Sequence, residues 1–131
     1  MNQVSVRLIT GDVAHLTEFY ERLTGVTARR FTPDFAQLLL PGAILAIGST
    51  TTVPGSAAEP AANRSALVEF RVDDVDAEFE RLNEVLDDVV VVQEPTLMPW
   101  GNRSLLLRDP DGTLINLFTP VSAEAIARQP A

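Results

Sequence analysis

The chain has 131 residues, 46% of them hydrophobic and 21% charged, an ordinary composition for one globular domain or two small half-domains sharing a core. Its formal charge of −8 argues against a nucleic-acid backbone as partner, because that affinity comes mainly from basic groups neutralising phosphates. With no cysteine and no lysine, disulfides, thiolate nucleophiles, iron–sulfur clusters and Schiff-base chemistry are excluded. Any histidine-dependent catalysis falls to His15 alone.

Residues 4–10 alternate as a strand does, and "GDVAHLTEFYERLTG" then switches to a helical period, with Val13, Leu16, Phe19, Tyr20 and Leu23 on one side. Asp12 is the expected N-cap and Gly25 the expected left-handed C-cap. Three short strands are expected next, over 26–30, 35–40 and 43–49, the last two joined by Pro41-Gly42. Residues 50–64 are rich in Pro, Ala, Thr and Gly, lack periodicity and read as a linker. The pattern then restarts. A strand is expected over 66–72, and Asp74 caps a helix with Val75, Phe79, Leu82, Val85 and Leu86 as its apolar stripe. A strand over 89–93 leads to "EPTLMPWG", read as a loop. Strands over 103–108 and 113–119 then flank the turn Asp109-Pro110-Asp111-Gly112. The longest apolar runs, 38–40 and 89–92, fall far short of the roughly 20 residues that cross a bilayer. Arg7 and Asp12 interrupt the start as a secretory leader would not, so no membrane partner and a cytoplasmic location are expected.

The two halves share the order β-α-β-β-β, which is the sharpest organisational signal in the sequence. Aligning Asp12-Val13 with Asp74-Val75 matches Ser5 to Leu67, Arg7 to Glu69 and Ile9 to Arg71. Aligning the two turn glycines, Gly42 and Gly112, matches Ala46 to Asn116. The chain is read as a single α+β domain made of module 1–49, linker 50–64, module 65–119 and C-terminal tail 120–131.

Alternation divides each strand between two faces. Val6 and Leu8, Val68, Phe70 and Val72, and Ile115 and Leu117 are expected to meet the helices. Ser5, Arg7 and Ile9, Leu67, Glu69 and Arg71, and Leu114, Asn116 and Phe118 then lie on the opposite faces. Mixed polar and apolar faces of this kind suit a curved sheet lining a ligand cavity, and equally a solvated sheet. Asn116 stands out, an amide among Leu114, Ile115, Leu117 and Phe118 that must bond something or line something wet.

The segments "GDVAHLTEFYERLTG", "VEFRVDDVDAEFERL" and "MPWGNRSLLLRDPDGTLINLF" together cover nearly the whole chain. In them the sequence resembles the vicinal oxygen chelate superfamily of glyoxalase I, extradiol dioxygenases, fosfomycin resistance enzymes and bleomycin resistance proteins. The resemblance implies paired βαβββ modules curling sheets around a cup, usually completed in a homodimer. Metalloenzymes of the group carry ligands at positions that fall here on Ser5, Ala46, Leu67 and Asn116, none of them an imidazole or a carboxylate. The resemblance is therefore closer to metal-free members that sequester bulky antibiotics such as bleomycin or mitomycin, with no cofactor. The implied partner is a hydrophobic or aromatic small molecule. Its expected contacts are Ser5, Arg7, Ala46, Leu67, Glu69, Arg71, Trp100, Asn116 and Phe118, with Ala46 and Gly48 leaving room for a planar guest and Trp100 at the rim. The alternatives are a lyase, isomerase or dioxygenase with a non-standard site, using either a displaced metal site or metal-free acid–base work by Glu69, or a partner-binding module without a small ligand. His15 is expected on the exposed side of its helix, and the acidic run from Asp73 to Glu80 complements a helix N-terminus.

Overall fold

The computed structural model describes residues 1–87 and 89–130, and residue 131 of the expected tail lies outside them. The chain divides into two compact units, Met1–Asn63 and Arg64–Ala131. The first contains β1 (Ser5–Ile9), α1 (Val13–Thr24), β2 (Arg29–Thr32), β3 (Phe35–Leu40) and β4 (Ala43–Gly48). Its sheet runs in the order β1-β4-β3-β2, with β1 parallel to β4 and the other pairs antiparallel. The second contains β5 (Leu67–Arg71), α2 (Val75–Val85), β6 (Val90–Leu97), β7 (Asn102–Arg108), β8 (Leu114–Pro120) and a short α3 (Ala123–Ala127). Its sheet repeats the topology as β5-β8-β7-β6, again with one parallel pair, β5 with β8.

Strand pairing fixes the correspondence of the halves independently of residue identity. Arg7 lies opposite Ala46 in the first unit and Glu69 opposite Asn116 in the second, so Arg7 corresponds to Glu69 and Ala46 to Asn116, the correspondence that the helix caps and turn glycines predict. Both helices begin as expected. The Asp12 carboxylate accepts from the His15 amide at 3.0 Å and that of Asp74 from the Ala77 amide at 3.1 Å. Gly25 closes α1 at φ 73°, a left-handed conformation that a side chain resists. His15 is exposed, as expected.

Each core lies between a helix and one sheet face. In the first unit Leu16, Tyr20 and Leu23 of α1 are buried with Ala36, Leu38, Leu45 and Ile47. In the second, Val75, Leu82 and Leu86 are buried with Leu105, Leu107, Ile115 and Leu117. The Thr119 hydroxyl fastens α2 over its sheet, accepting from the Val75 amide and donating to the Val72 carbonyl, both at 3.0 Å. Asp109 is a turn residue: one carboxylate oxygen accepts from the amides of Asp111 and Thr113 at 2.9 Å each.

Several expectations need correction. The second strand begins at Arg29 rather than 26, because the Ala28 amide is drawn to the Glu21 carboxylate on α1 at 2.8 Å instead of joining a ladder. Residues 94–97, expected in a loop, extend β6. Pro95 is tolerated there because β6 is an edge strand and register shifts between Val91 and Gln93 and between Gln93 and Thr96 absorb it. The tail carries α3, capped by Ser122, whose hydroxyl accepts from the Ala125 amide at 3.0 Å. Val85 is exposed and Leu86 takes the buried position at the end of α2. Val6 is 42% exposed because α1 packs over β3 and β4 rather than over the edge strand β1. No helix among the described residues is long and apolar enough to cross a membrane.

Glu21 gives the first unit a pH dependence. Its carboxylate takes two bonds from the Arg30 guanidinium, at 2.7 and 3.0 Å, and the Arg30 bond, followed by that from the Ala28 amide, holds it below the usual glutamate range. A depressed folded-state value gives stability that is present above the ordinary glutamate value and lost as pH falls through the lowered one. Glu21→Gln is therefore expected to lower the urea midpoint at neutral pH and to converge with the parent protein in acid. Parallel shifts at every pH would show that the charge of Glu21 is not responsible.

Candidate functional site

Asn116 is 7% exposed on β8, and its Nδ2 donates to Oε2 of Glu69, its β5 neighbour, at 2.8 Å. The carboxylate only accepts when ionised, so it fixes the amide orientation and turns Oδ1 away from Glu69. That oxygen is enclosed and has no hydrogen-bond partner among the described residues. The misplaced amide thus bonds something with one end and offers the other.

The ladder shows what surrounds it. On the face away from α2, one row across the sheet reads Gln93, Leu106, Asn116, Glu69, and the next reads Thr96, Ser104, Phe118, Arg71. Asn102 lies one step further along β7, opposite Pro120. Five buried side-chain polar atoms lack a hydrogen-bond partner among the described residues. Four of them, Gln93 Oε1, Asn102 Oδ1, Ser104 Oγ and Asn116 Oδ1, belong to this one face. The fifth, Thr17 Oγ1, lies in α1. Each unpaired buried polar atom costs about 1–3 kcal/mol, so four on one face are a costly concentration that packing within the sheet does not repay. Half-buried Leu106, Leu114 and Phe118 supply apolar area between them.

The expected contact residues fall into two sets. Leu67, Glu69, Arg71, Asn116 and Phe118 share this face of the second sheet, and the Arg71 guanidinium makes no hydrogen bond or ion pair with any described residue. Trp100, 54% exposed, sits in the turn between β6 and β7, at the Arg71 and Phe118 end of the sheet, where its carbonyl accepts from Arg128. Ser5, Arg7 and Ala46 share the corresponding face of the first sheet, with Arg7 directly opposite Ala46. The room expected at Gly48 is taken: a Cβ there would lie 2.7 Å from Thr52 Oγ1, because the linker begins with a 3-10 turn at Thr50–Thr52 that folds back on β4.

Gln93, Asn102 and Ser104 escape the sequence reading. For Ser104 and Asn102 the signal was present, since alternation with buried Leu105 and Leu107 turns them to the other face. For Gln93 it was hidden, because the register shift after Val91 reverses the parity of β6.

The four metal-ligand positions implied by the resemblance do not suit a metal. Ala46 and Leu67 carry no donor atom, and the Asn116 amide is committed to Glu69. Among the described residues no three His, Cys, Asp or Glu side chains are grouped to hold an ion.

Comparison with known proteins places the fold. A glyoxalase/bleomycin resistance protein/dioxygenase from Nocardioides is 27% identical, with a TM-score of 0.73 over 94% of this chain and 85% of its own. A glyoxalase/bleomycin resistance protein/dioxygenase family enzyme from Burkholderia phytofirmans PsJN, 16% identical, covers 89% of this chain and 97% of its own at 0.74. A glyoxalase-related enzyme from Fulvimarina pelagi, 20% identical, superposes at 0.76 over 95% of each chain. The last two likenesses concern the fold alone. Nothing among curated proteins matches the sequence. The family model of the Glyoxalase/Bleomycin resistance protein/Dioxygenase superfamily matches residues 2–117, nearly the full length, and the chain belongs to that superfamily.

Proposed function

We propose that the chain is a metal-free binding protein that holds a small, hydrophobic or aromatic molecule against the face of the β5-β8-β7-β6 sheet that points away from α2, without transforming it. The observation that carries this reading is the collection of four unpartnered buried polar atoms on that face, set among Leu106, Leu114 and Phe118. A guest that covers the apolar side chains and bonds the orphaned atoms recovers free energy from both. An antibiotic is one guest of this kind, and sequestration protects when the dissociation constant lies below the free concentration of the toxin. The protein is read as a homodimer of cytoplasmic location. Support for the dimer comes from the exposed Val90, Val91 and Val92 on the edge strand β6, an apolar edge of the sort that monomers usually blunt.

A neutral aromatic probe tests the reading. N-phenyl-1-naphthylamine is expected to bind saturably, one per chain, with quenching of Trp100, the single tryptophan, and to be recovered chemically unchanged. Leu106→Arg, which places a charge in the centre of the row, is expected to weaken it at least about tenfold. Absence of saturation, or a product in the recovered probe, would overturn the proposal.

A further inference from the structure

Apart from Asn102 Oδ1, an acceptor one step beyond the second row, the unpartnered groups in the two rows divide by chemistry, and the division points to a class of ligand. The row through Asn116 is a row of acceptors: Gln93 Oε1, Asn116 Oδ1 and the Glu69 carboxylate, with no basic residue in it. The neighbouring row carries donors: the Ser104 hydroxyl, enclosed and unbonded, and the Arg71 guanidinium, unpaired among the described residues. Phe118 stands between Ser104 and Arg71 in that second row, and Leu106 between Gln93 and Asn116 in the first. The rows are two residues apart along each strand, which is about 7 Å. Arg108, the other cation on this face, already donates to the Gly112 carbonyl at 2.8 Å and is not free for a guest.

Resting on the reading that this face binds a small molecule, we infer that the ligand is two-ended: an aromatic zwitterion whose ammonium or other donor group meets Asn116 and Glu69. Its carboxylate or equivalent anion, set across a ring, meets Arg71 and Ser104. An ammonium offers three donors, enough for Asn116 Oδ1 and the Glu69 carboxylate together. A carboxylate pairs with a guanidinium through two parallel bonds and leaves a lone pair for the serine hydroxyl. A ligand with only one of these groups leaves the other row unpaired, which the buried positions of Asn116 and Ser104 make costly.

Calorimetric titration with 4-(aminomethyl)benzoate, benzylamine and benzoate tests this. The zwitterion is expected to bind at least about tenfold more tightly than either single-ended compound. Asn116→Leu is expected to weaken the zwitterion and benzylamine but not benzoate, and Arg71→Leu to weaken the zwitterion and benzoate but not benzylamine. If the three compounds bind alike, or either variant weakens all three equally while N-phenyl-1-naphthylamine still saturates, the two-ended ligand is wrong and the binding face stands. If the naphthyl probe also fails to bind, the binding face itself is wrong and this inference goes with it.

Discussion

Replacing Asn116 by leucine is expected to leave the protein at least as stable as the parent, and up to about 2 kcal/mol more stable, while weakening its affinity for donor-bearing ligands. The reason is the unequal state of the two ends of the amide. Nδ2 gives a bond to Glu69 at 2.8 Å, and Glu69 is exposed, so water replaces that bond at little cost when the amide is removed. Oδ1 is enclosed without a partner, and its desolvation is not repaid within the unit. Leucine deletes the unrepaid part and adds apolar surface beside half-buried Leu106, Leu114 and Phe118. Most changes at a residue as buried as this one destabilise, so a rise in the thermal midpoint accompanied by loss of binding is a distinctive result. A fall of several degrees would show instead that Asn116 is held for structure.

Asn116→Asp supplies the complementary measurement. A carboxylate at this position faces that of Glu69, and two like charges at such separation do not both ionise freely. The pair therefore keeps a proton in the folded state to higher pH than either carboxylate does in the unfolded chain, so its folded-state value is raised. Stability is then greatest below the ordinary carboxylate range and declines as pH rises through the raised value, by roughly 1–2 kcal/mol given the exposure of Glu69. Denaturant midpoints of the Asp and Leu variants should diverge steadily from acid to neutral pH. Parallel curves would mean that the two side chains do not meet.

Much of this is legible in the sequence alone. Asp12, Gly25 and Asp74 mark helix ends through local hydrogen bonding and backbone freedom, which need no knowledge of the rest of the chain. The correspondence of Arg7 with Glu69 and of Ala46 with Asn116 was accessible because each helix cap follows its first-strand residue by five positions and each turn glycine precedes its last-strand residue by four. What stayed hidden depends on contacts between distant segments. The Ala28 amide turns to Glu21 through a side chain seven residues away, and no strand pattern encodes that. The parity of β6 reverses at an irregularity in its pairing with β7, so Gln93 reaches the site face although plain alternation from Val91 gives no hint of it. At Gly48 a glycine looked like empty space, whereas the fold had already assigned the space to Thr52. The polarity of the face was visible in Glu69, Arg71 and Asn116. Which of those groups remained without partners was not, because satisfaction of a hydrogen bond is a property of the folded arrangement.

Gly101→Ala is expected to destabilise the protein by about 2–4 kcal/mol and to detach the C-terminal helix from the turn that carries Trp100. The residue closes the turn between β6 and β7. Its amide donates to the Met98 carbonyl at 2.9 Å, and its own carbonyl accepts from the amides of Val121 and Ser122 at 2.9 and 3.1 Å. Its φ of 92° lies in the region that an L side chain resists, which alone costs about 1–2 kcal/mol. The steric cost adds to this. A Cβ would lie 2.1 Å from Ser122 Oγ, 2.9 Å from Ser122 Cβ and 3.0 Å from Ala125 Cβ. Ser122 Oγ cannot rotate away without releasing the cap of α3, and Ala125 is fully buried, so the helix has to move as a whole. Gly25→Ala separates the two terms, because Gly25 has a φ of 73° and nothing within 4 Å of its missing Cβ, leaving the backbone cost alone. The thermal midpoint of the Gly101 variant should fall by clearly more than that of the Gly25 variant. The Arg128 bond to the Trp100 carbonyl should be lost with it, and the indole set loose at the end of the sheet where Arg71 and Phe118 lie. Equal losses in the two variants would show that α3 yields to the added methyl group, and Trp100 would then owe its position to the hairpin alone.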